Sequence, residues 1–301
     1  MIGPELGARV RLYCDVAKAN GSLLSLSDLL ALLPDHRSEE ELERAIRSHP
    51  ELSASYELKS GFIIERSSSG PNAESRERVS RLRAMSNLMQ AESVLPLLKS
   101  SEVLLLGISG STSYKSASKS DDIDFFCVTK KGTLWIYLTR ALILSRALRH
   151  LRKDAPDICL SCTMDAERAD ESFASSNDPL VARDALSMII AVGRDFYRHL
   201  LRRGSWISEY YPKLYASRLG QEPSADGPTT GPPIAKRVLN GFLYRAVGTY
   251  IRAKSRVHNG RLARQGRYDS IFTLLIGEDQ CVYESARYSK MRGMYNSLKV
   301  K

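Results

Sequence analysis

Apolar residues recur at helical spacing over the first fifty positions and then give way to short alternating runs. This pattern predicts three helices followed by a hairpin. Leu6, Val10, Cys14 and Ala17 mark the inner face of the first helix. Ser27 is placed to cap a second, whose Leu29, Leu30 and Leu33 run into Pro34. Ser38 and Glu41 form a capping box for a third, with Leu42 and Ile46 inward. Residues 55–58 and 62–65 read as strands joined through Lys59, Ser60 and Gly61, with glycine at the turn. The turn-forming run Ser67-Ser68-Ser69-Gly70-Pro71-Asn72 reads as a linker over residues 67–73. A charged helix follows between Glu74 and Ser100. Its expected outer side carries Arg76, Glu77, Arg78, Arg81 and Arg83, and its inner side Val79, Leu82, Met85 and Leu88.

The pattern then turns to strands. Leu104-Leu105-Leu106-Gly107-Ile108-Ser109-Gly110-Ser111 is an apolar run ending in small residues. Asp122-Ile123-Asp124-Phe125-Phe126-Cys127-Val128 is a second apolar strand with carboxylates at its start. A helix over residues 134–151 leads to a third strand, over residues 156–162, that Asp157 opens. Between Gly220 and Pro233 lie four prolines and three glycines, a long loop or hinge. The expected fold class is α/β (α+β): a small mixed-sheet core at residues 74–170, preceded by the helix-and-hairpin unit at 1–66. A basic helical domain is expected at 171–301.

The carboxylates carry the chemistry. Side chains alternate along a strand, so Asp122 and Asp124 share a face about 7 Å apart, while Ile123 and Phe125 point to the core. Two carboxylates together repel each other and call for cations, and a hard divalent ion such as Mg²⁺ with phosphate oxygens meets that need. Gly110 permits close backbone approach to a ligand, Ser111 adds a hydroxyl, and a helix starting there would offer free N–H groups to phosphate. Other chemistries fail on spacing. The Gly107–Ser111 region lacks the last glycine of a hydrolase nucleophile elbow and the Gly-Lys-Ser/Thr end of a P-loop. Cys159 and Cys162 lie on a strand pattern that turns them opposite ways, and no second pair exists, so zinc is not expected. His36, His49, His150, His199 and His258 show no ligand spacing.

Apolar-Gly-Ser, about ten residues, then Asp-apolar-Asp-apolar resembles the signature of the nucleotidyltransferase fold of the DNA polymerase beta superfamily. Gly110, Ser111, Asp122 and Asp124 carry that likeness here. The stretches from Thr129 to Arg140 and from Ala182 to Pro212 resemble a group of poorly characterised microbial nucleotidyltransferases, so the likeness spans residues 75–212. The first unit resembles a winged-helix domain in architecture. The resemblance implies two Mg²⁺ ions (or Mn²⁺) on Asp122 and Asp124, and a third carboxylate on the neighbouring strand. Asp157 is the candidate for that third position, with Asp154 and Asp165 as alternatives. Lys115, Lys119 and Ser120 lie where they could reach phosphate oxygens or simply be solvated loop residues. Asp121 reads as a turn residue. The implied reaction moves a nucleoside monophosphate from a nucleoside triphosphate to an unidentified hydroxyl acceptor, releasing pyrophosphate. The alternative is a regulator or adaptor that binds nucleotide or nucleic acid without catalysis.

Charge adds a direction. The chain of 301 residues carries a formal charge of +10. Residues 181–301 hold 21 Lys and Arg against 9 Asp and Glu, a balance of +12, and residues 1–180 hold 23 against 25, a balance of −2. The excess lies where anionic ligands would be gathered. Between Lys236 and Arg267 there are nine basic residues and no acid, a segment suited to a polyanionic acceptor such as RNA or to a solvated basic helix. Trp206, Tyr210 and Tyr211 read as core or as a stacking surface. The third predicted helix presents Glu39, Glu40, Glu41 and Glu43 against Arg44 and Arg47, which suits packing or protein contact better than DNA phosphate. The most apolar helix contains Arg140, Arg146 and Arg149 and is a poor membrane span. Five scattered cysteines and an opening with no signal-peptide pattern lead to the expectation of a reducing, cytoplasmic setting.

Overall fold

The computed structural model describes residues 4–34, 37–68, 73–118, 121–151, 156–220 and 233–298. The first unit follows the apolar spacing closely. Helix α1 (Pro4–Ala19) precedes a short strand β1 (Leu24–Ser25) and α2 (Leu26–Leu32). The cap of α2 is Ser25, not Ser27: its hydroxyl accepts the Asp28 N–H at 3.1 Å, and β1 delivers it to that position. Helix α3 (Glu39–Ser48) carries the full Ser38–Glu41 capping box, and a further short helix, α4 (Pro50–Ser55), follows it with Pro50 in its first turn. Strands β2 (Tyr56–Lys59) and β3 (Phe62–Glu65) pair antiparallel, with Lys59 opposite Phe62. Their two-residue turn needs positive φ twice, supplied by Ser60 at 51° and Gly61 at 78°. Strand β1 joins the far side of β3, giving the order β1-β3-β2. Val10, Leu29, Leu42 and Leu52 are fully buried in this unit, in one apolar cluster that continues through Leu105, Val128 and Phe173.

Helix α5 (Ala73–Leu98) turns the other way from its expected polarity. Val79, Leu82 and Met85 are exposed, whereas Glu77, Ser80, Ala84, Ala91, Val94 and Leu98 face inward. Small and polar residues allow the helix to lie close to loops and to bond their backbone. The Glu77 carboxylate accepts the Leu23 N–H at 2.8 Å and Arg81 Nε at 2.7 Å, and Ser80 donates to the Ala117 carbonyl at 3.0 Å. These backbone partners, invisible to an apolar count, choose the buried face.

The larger sheet is built from β4 (Val103–Ile108), β5 (Ile123–Thr129) and β6 (Ile158–Asp165), with the short helix α6 (Gly110–Ser113) between β4 and β5 and α7 (Leu134–Leu151) between β5 and β6. Next come α8 (Ala166–Ser175), α9 (Pro179–Ser187), β7 (Ile189–Val192), α10 (Arg194–Arg203), α11 (Ile207–Tyr210) and α12 (Pro212–Leu219). The long helix α13 (Ile234–Arg264), a hairpin β8 (Phe272–Ile276) and β9 (Gln280–Ser285), and α14 (Ala286–Tyr295) complete it. The strand order is β7-β4-β5-β6-β9-β8. Only β5 and β6 pair in parallel, and α7 is the crossover that a parallel pair requires. Residues after 170 therefore supply three strands of this sheet as well as helices, so the region expected to be helical is not only that.

Alternation fixes the two faces. Leu106, Ile108, Ile123, Phe125 and Cys127 pack with Ala91, Val94, Tyr137 and Ala141 under α5 and α7. Leu105 and Val128 belong to the opposite core, with Phe173, Leu186 and Tyr197. Asp124 shares the parity of Phe126 and Val128, so it faces that second side, at the open end of β5. A third cluster packs α13 on α7 and the β8–β9 hairpin through Trp135, Leu138, Ile251 and Cys281. No described helix is long and apolar enough to cross a membrane.

Candidate metal centre

Strand β4 runs into Ser109, whose N–H donates to the Asp124 carbonyl at 2.9 Å, pinning the end of β4 to the start of β5. Gly110 follows at φ +63°, and a Cβ there would overlap Asp124 Oδ2. Glycine is thus required twice, by the backbone angle and by the carboxylate lying against its Cα. Across the parallel pair, Asp124 stands opposite Cys159. Asp122, Asp124 and Cys159 offer ligand atoms that all lie within 4.8 Å of one another. The register slips by one residue beyond this point, between the Asp124–Cys159 and Phe126–Cys162 pairs, and the bulge brings Ser161 alongside. Ser161 hydrogen-bonds the Asp124 carboxylate, and the Cys159 thiol lies in hydrogen-bonding contact with both carboxylates.

Among the described residues, the electrostatics are those of negative charge without a paired cation. Burial, then the adjacent Asp122 charge, pushes Asp124 up to about 7. Asp122 is an exposed residue at the rim, yet crowding around its carboxylate, and then the charges of Asp121 and Asp157, raise it as well. Burial and the two carboxylates lift Cys159 well above the ordinary thiol range. Among the described residues, no Lys or Arg forms an ion pair with Asp122 or Asp124. This donor set could hold a divalent cation: two carboxylate oxygens and a sulfur lie within 4.8 Å of one another.

Of the residues singled out in the sequence, Gly110, Asp122 and Asp124 come together, while Ser111 hydrogen-bonds the neighbouring Asp121. Asp121 also takes the Ser118 N–H at 3.0 Å and the Ser118 hydroxyl. Burial would raise Asp121, but these donors hold it below the usual range, the behaviour of a turn residue rather than a ligand. Lys115, itself at φ +59°, extends to Asp28 of the first unit, Nζ 3.9 Å from Oδ1. Lys119, Ser120 and Asp154 lie outside the described residues. Asp157 precedes β6 rather than opening it, is exposed, and accepts Arg149 Nη1 at 3.3 Å. It is not a member of the three-ligand cluster; Cys159 is. Asp165 stands at the opposite end of β6, capping α8 through the Arg168 N–H at 3.1 Å.

Sequence spacing sets Cys159 aside as a ligand because it lacks a cysteine partner on its face, and the lateral register that puts it beside Asp124 leaves no mark in that spacing. A second omission is a polar cluster behind the Gly-Ser turn. Tyr114, directly after α6, donates to Asp184 on α9, and Tyr288 on α14 donates to the other carboxylate oxygen at 2.7 Å. Arg183 lies over the rings of Tyr13, Tyr114 and Tyr295 and donates to the Tyr295 hydroxyl. The turn is thereby tied to α1, α9 and α14.

The aromatic residues Tyr210 and Tyr211 are buried, their hydroxyls donating to Asn177 at 2.6 Å and to the Pro179 carbonyl at 3.2 Å, so they are core. Helix α13 seats its N-terminal half through Asn240, whose side-chain oxygen accepts the Trp135 N–H at 2.8 Å. Lys236 pairs with Glu102 at 3.0 Å, and Arg252 reaches the Tyr244 hydroxyl at 3.2 Å, while Arg245, Lys254 and Arg256 are exposed. No family model matches the chain, and no curated protein or solved structure matches it.

Proposed function

We propose that this protein is a metal-dependent nucleotidyltransferase that moves a nucleoside monophosphate from a nucleoside triphosphate to a hydroxyl acceptor, releasing pyrophosphate. The observation that carries this reading is that Asp122, just before β5, and Asp124, on it, offer carboxylate oxygens within one 4.8 Å group beside a glycine turn, with no Lys or Arg ion pair among the described residues. The arrangement of an antiparallel β4–β5 pair, a crossover helix and a parallel β6 supports assignment to the nucleotidyltransferase fold. The first unit reads as a winged helix, with α3 and its acidic side serving contact between proteins.

Asp122 and Asp124 would hold the divalent cation, Mg²⁺ on the sequence resemblance, which when bound neutralises phosphate charge and makes an acceptor hydroxyl easier to deprotonate. Gly110 keeps the backbone low enough for a triphosphate to approach Asp124. Positioning and charge neutralisation are what such a transfer asks of a protein. The exposed Arg245, Lys254 and Arg256 of α13 suit a polyanionic acceptor such as RNA.

Cys159 favours a second reading, a regulator or adaptor on the same fold that binds nucleotide or nucleic acid without turnover, because it stands where a third carboxylate would complete the catalytic set. The experiment is incubation with each labelled nucleoside triphosphate, Mg²⁺ or Mn²⁺ and cell extract as acceptor source, beside Asp124→Asn. Pyrophosphate release that the variant abolishes supports the enzyme. Release that is absent, or equal in the variant, removes it.

A further inference from the structure

The register of β6 against β5 has a consequence for which cation the site takes. Cys159 is the lateral neighbour of Asp124, its thiol contacts both carboxylates, and its sulfur and their oxygens lie within one 4.8 Å group. That span is about twice a metal–ligand bond of roughly 2.0–2.3 Å, so small side-chain adjustments bring all three donors onto one ion. Asp157, the carboxylate nearest in sequence, is turned outward to Arg149. Among the described residues, the third member of the group is thus a sulfur and not a carboxylate. We infer that Cys159 joins Asp122 and Asp124 as a ligand of a single three-ligand site that selects a thiophilic divalent cation, of the Zn²⁺, Co²⁺ or Cd²⁺ type, over Mg²⁺.

This inference rests on the reading of Asp122 and Asp124 as cation ligands and adds the identity of the third donor. Mg²⁺ is bound through oxygen and gains little from sulfur, whereas a thiolate draws softer ions. Three protein donors also leave a position open for a phosphate oxygen or water, as catalytic sites of such ions do. Binding forms a metal–sulfur bond and releases the thiol proton to solvent, so uptake of the ion liberates acid. The four other cysteines, Cys14, Cys127, Cys162 and Cys281, lie outside the cluster.

The test is ultraviolet difference absorption of the whole protein titrated with Cd²⁺, whose thiolate charge-transfer band reports sulfur ligation, beside Cys159→Ser, Cys159→Asp and Asp124→Asn. The expected result is a saturable band at one equivalent that Cys159→Ser loses, that Asp124→Asn weakens, and that excess Mg²⁺ does not displace from the wild type. Cys159→Asp should lose the band and gain Mg²⁺ binding, read as a rise in melting temperature with Mg²⁺. Should Mn²⁺ bind by electron paramagnetic resonance and Asp124→Asn abolish it while no Cd²⁺ band forms, or the band survive Cys159→Ser, the sulfur ligand is refuted and the carboxylate site stands. If no divalent cation binds the wild type at all, both fall. The wild-type competition between Cd²⁺ and Mg²⁺ needs no variant, so a Cys159 substitution that fails to fold leaves the question decidable.

Discussion

Asp124 lies so close against Gly110 that a single methyl group on the glycine would overlap its carboxylate oxygen. The close approach and the φ of +63° make the turn intolerant of any side chain. Gly110→Ala should cost about 1–3 kcal/mol in denaturant unfolding and displace Asp124. Cation binding should fall together with stability. A variant that melts and binds cations like the wild type would mean the turn is looser than described.

The Asp124 carboxyl is held up to about 7, first by burial and then by Asp122. An unfolded aspartate titrates near 3.9, so between about pH 4 and pH 7 the folded protein holds a proton that the unfolded chain has lost. Stability of the metal-free protein must then fall as pH rises through that window, being greatest at its acid end. Asp124→Asn should flatten this slope and raise the melting temperature at pH 8 by roughly a few degrees. Divalent cation added to the wild type at pH 8 should restore the loss by binding only the folded state. Thermal melts across pH, with and without cation, check all three outcomes.

Asp184 accepts from Tyr114 and Tyr288 at once, with Arg183 stacked among the rings beside it. Asp184→Ala would leave two tyrosine hydroxyls without their acceptor, at a cost of about 2–3 kcal/mol in chemical denaturation. Tyr114→Phe removes one hydroxyl and should cost about 1–2 kcal/mol. A loss below about 1 kcal/mol in the alanine variant would show that the cluster does not hold the Gly-Ser turn in place.

Arg245 and Arg256 are exposed on α13. Replacing both with glutamate should leave the melting temperature within a degree or two and weaken binding to a single-stranded RNA oligonucleotide. The logarithmic salt slope should shrink by roughly one for each phosphate that an arginine no longer neutralises. Equal affinity and slope in the variant would place any anionic acceptor elsewhere.

Much of this architecture is legible in the chain itself. The Ser38–Glu41 box, the Gly61 turn and the alternation that buries Ile123 and Phe125 are local, and each is expressed in spacing alone. The inner face of α5 is not, because Glu77 and Ser80 are buried by what they bond on distant loops rather than by their own polarity. Strand β7 escapes notice because its partner β4 lies far away in sequence. The β8–β9 hairpin is local, but its place in the larger sheet comes from the distant pairing of β9 with β6. At the site, Gly110, Ser111, Asp122 and Asp124 are legible as a motif after one strand and at the start of the next. Cys159 is not: its importance comes from a lateral neighbour 35 positions earlier and a one-residue bulge, neither of which leaves a periodic trace.

On the proposed function, Asp122 and Asp124 hold a divalent cation against a nucleotide. A crystal soaked with Mn²⁺ and a non-hydrolysable nucleoside triphosphate analogue, measured by anomalous scattering, addresses it directly. The account predicts a manganese peak bridging the two carboxylates, with phosphate density beside Gly110. A peak elsewhere, or clear analogue density with the two carboxylates free of metal, would contradict it.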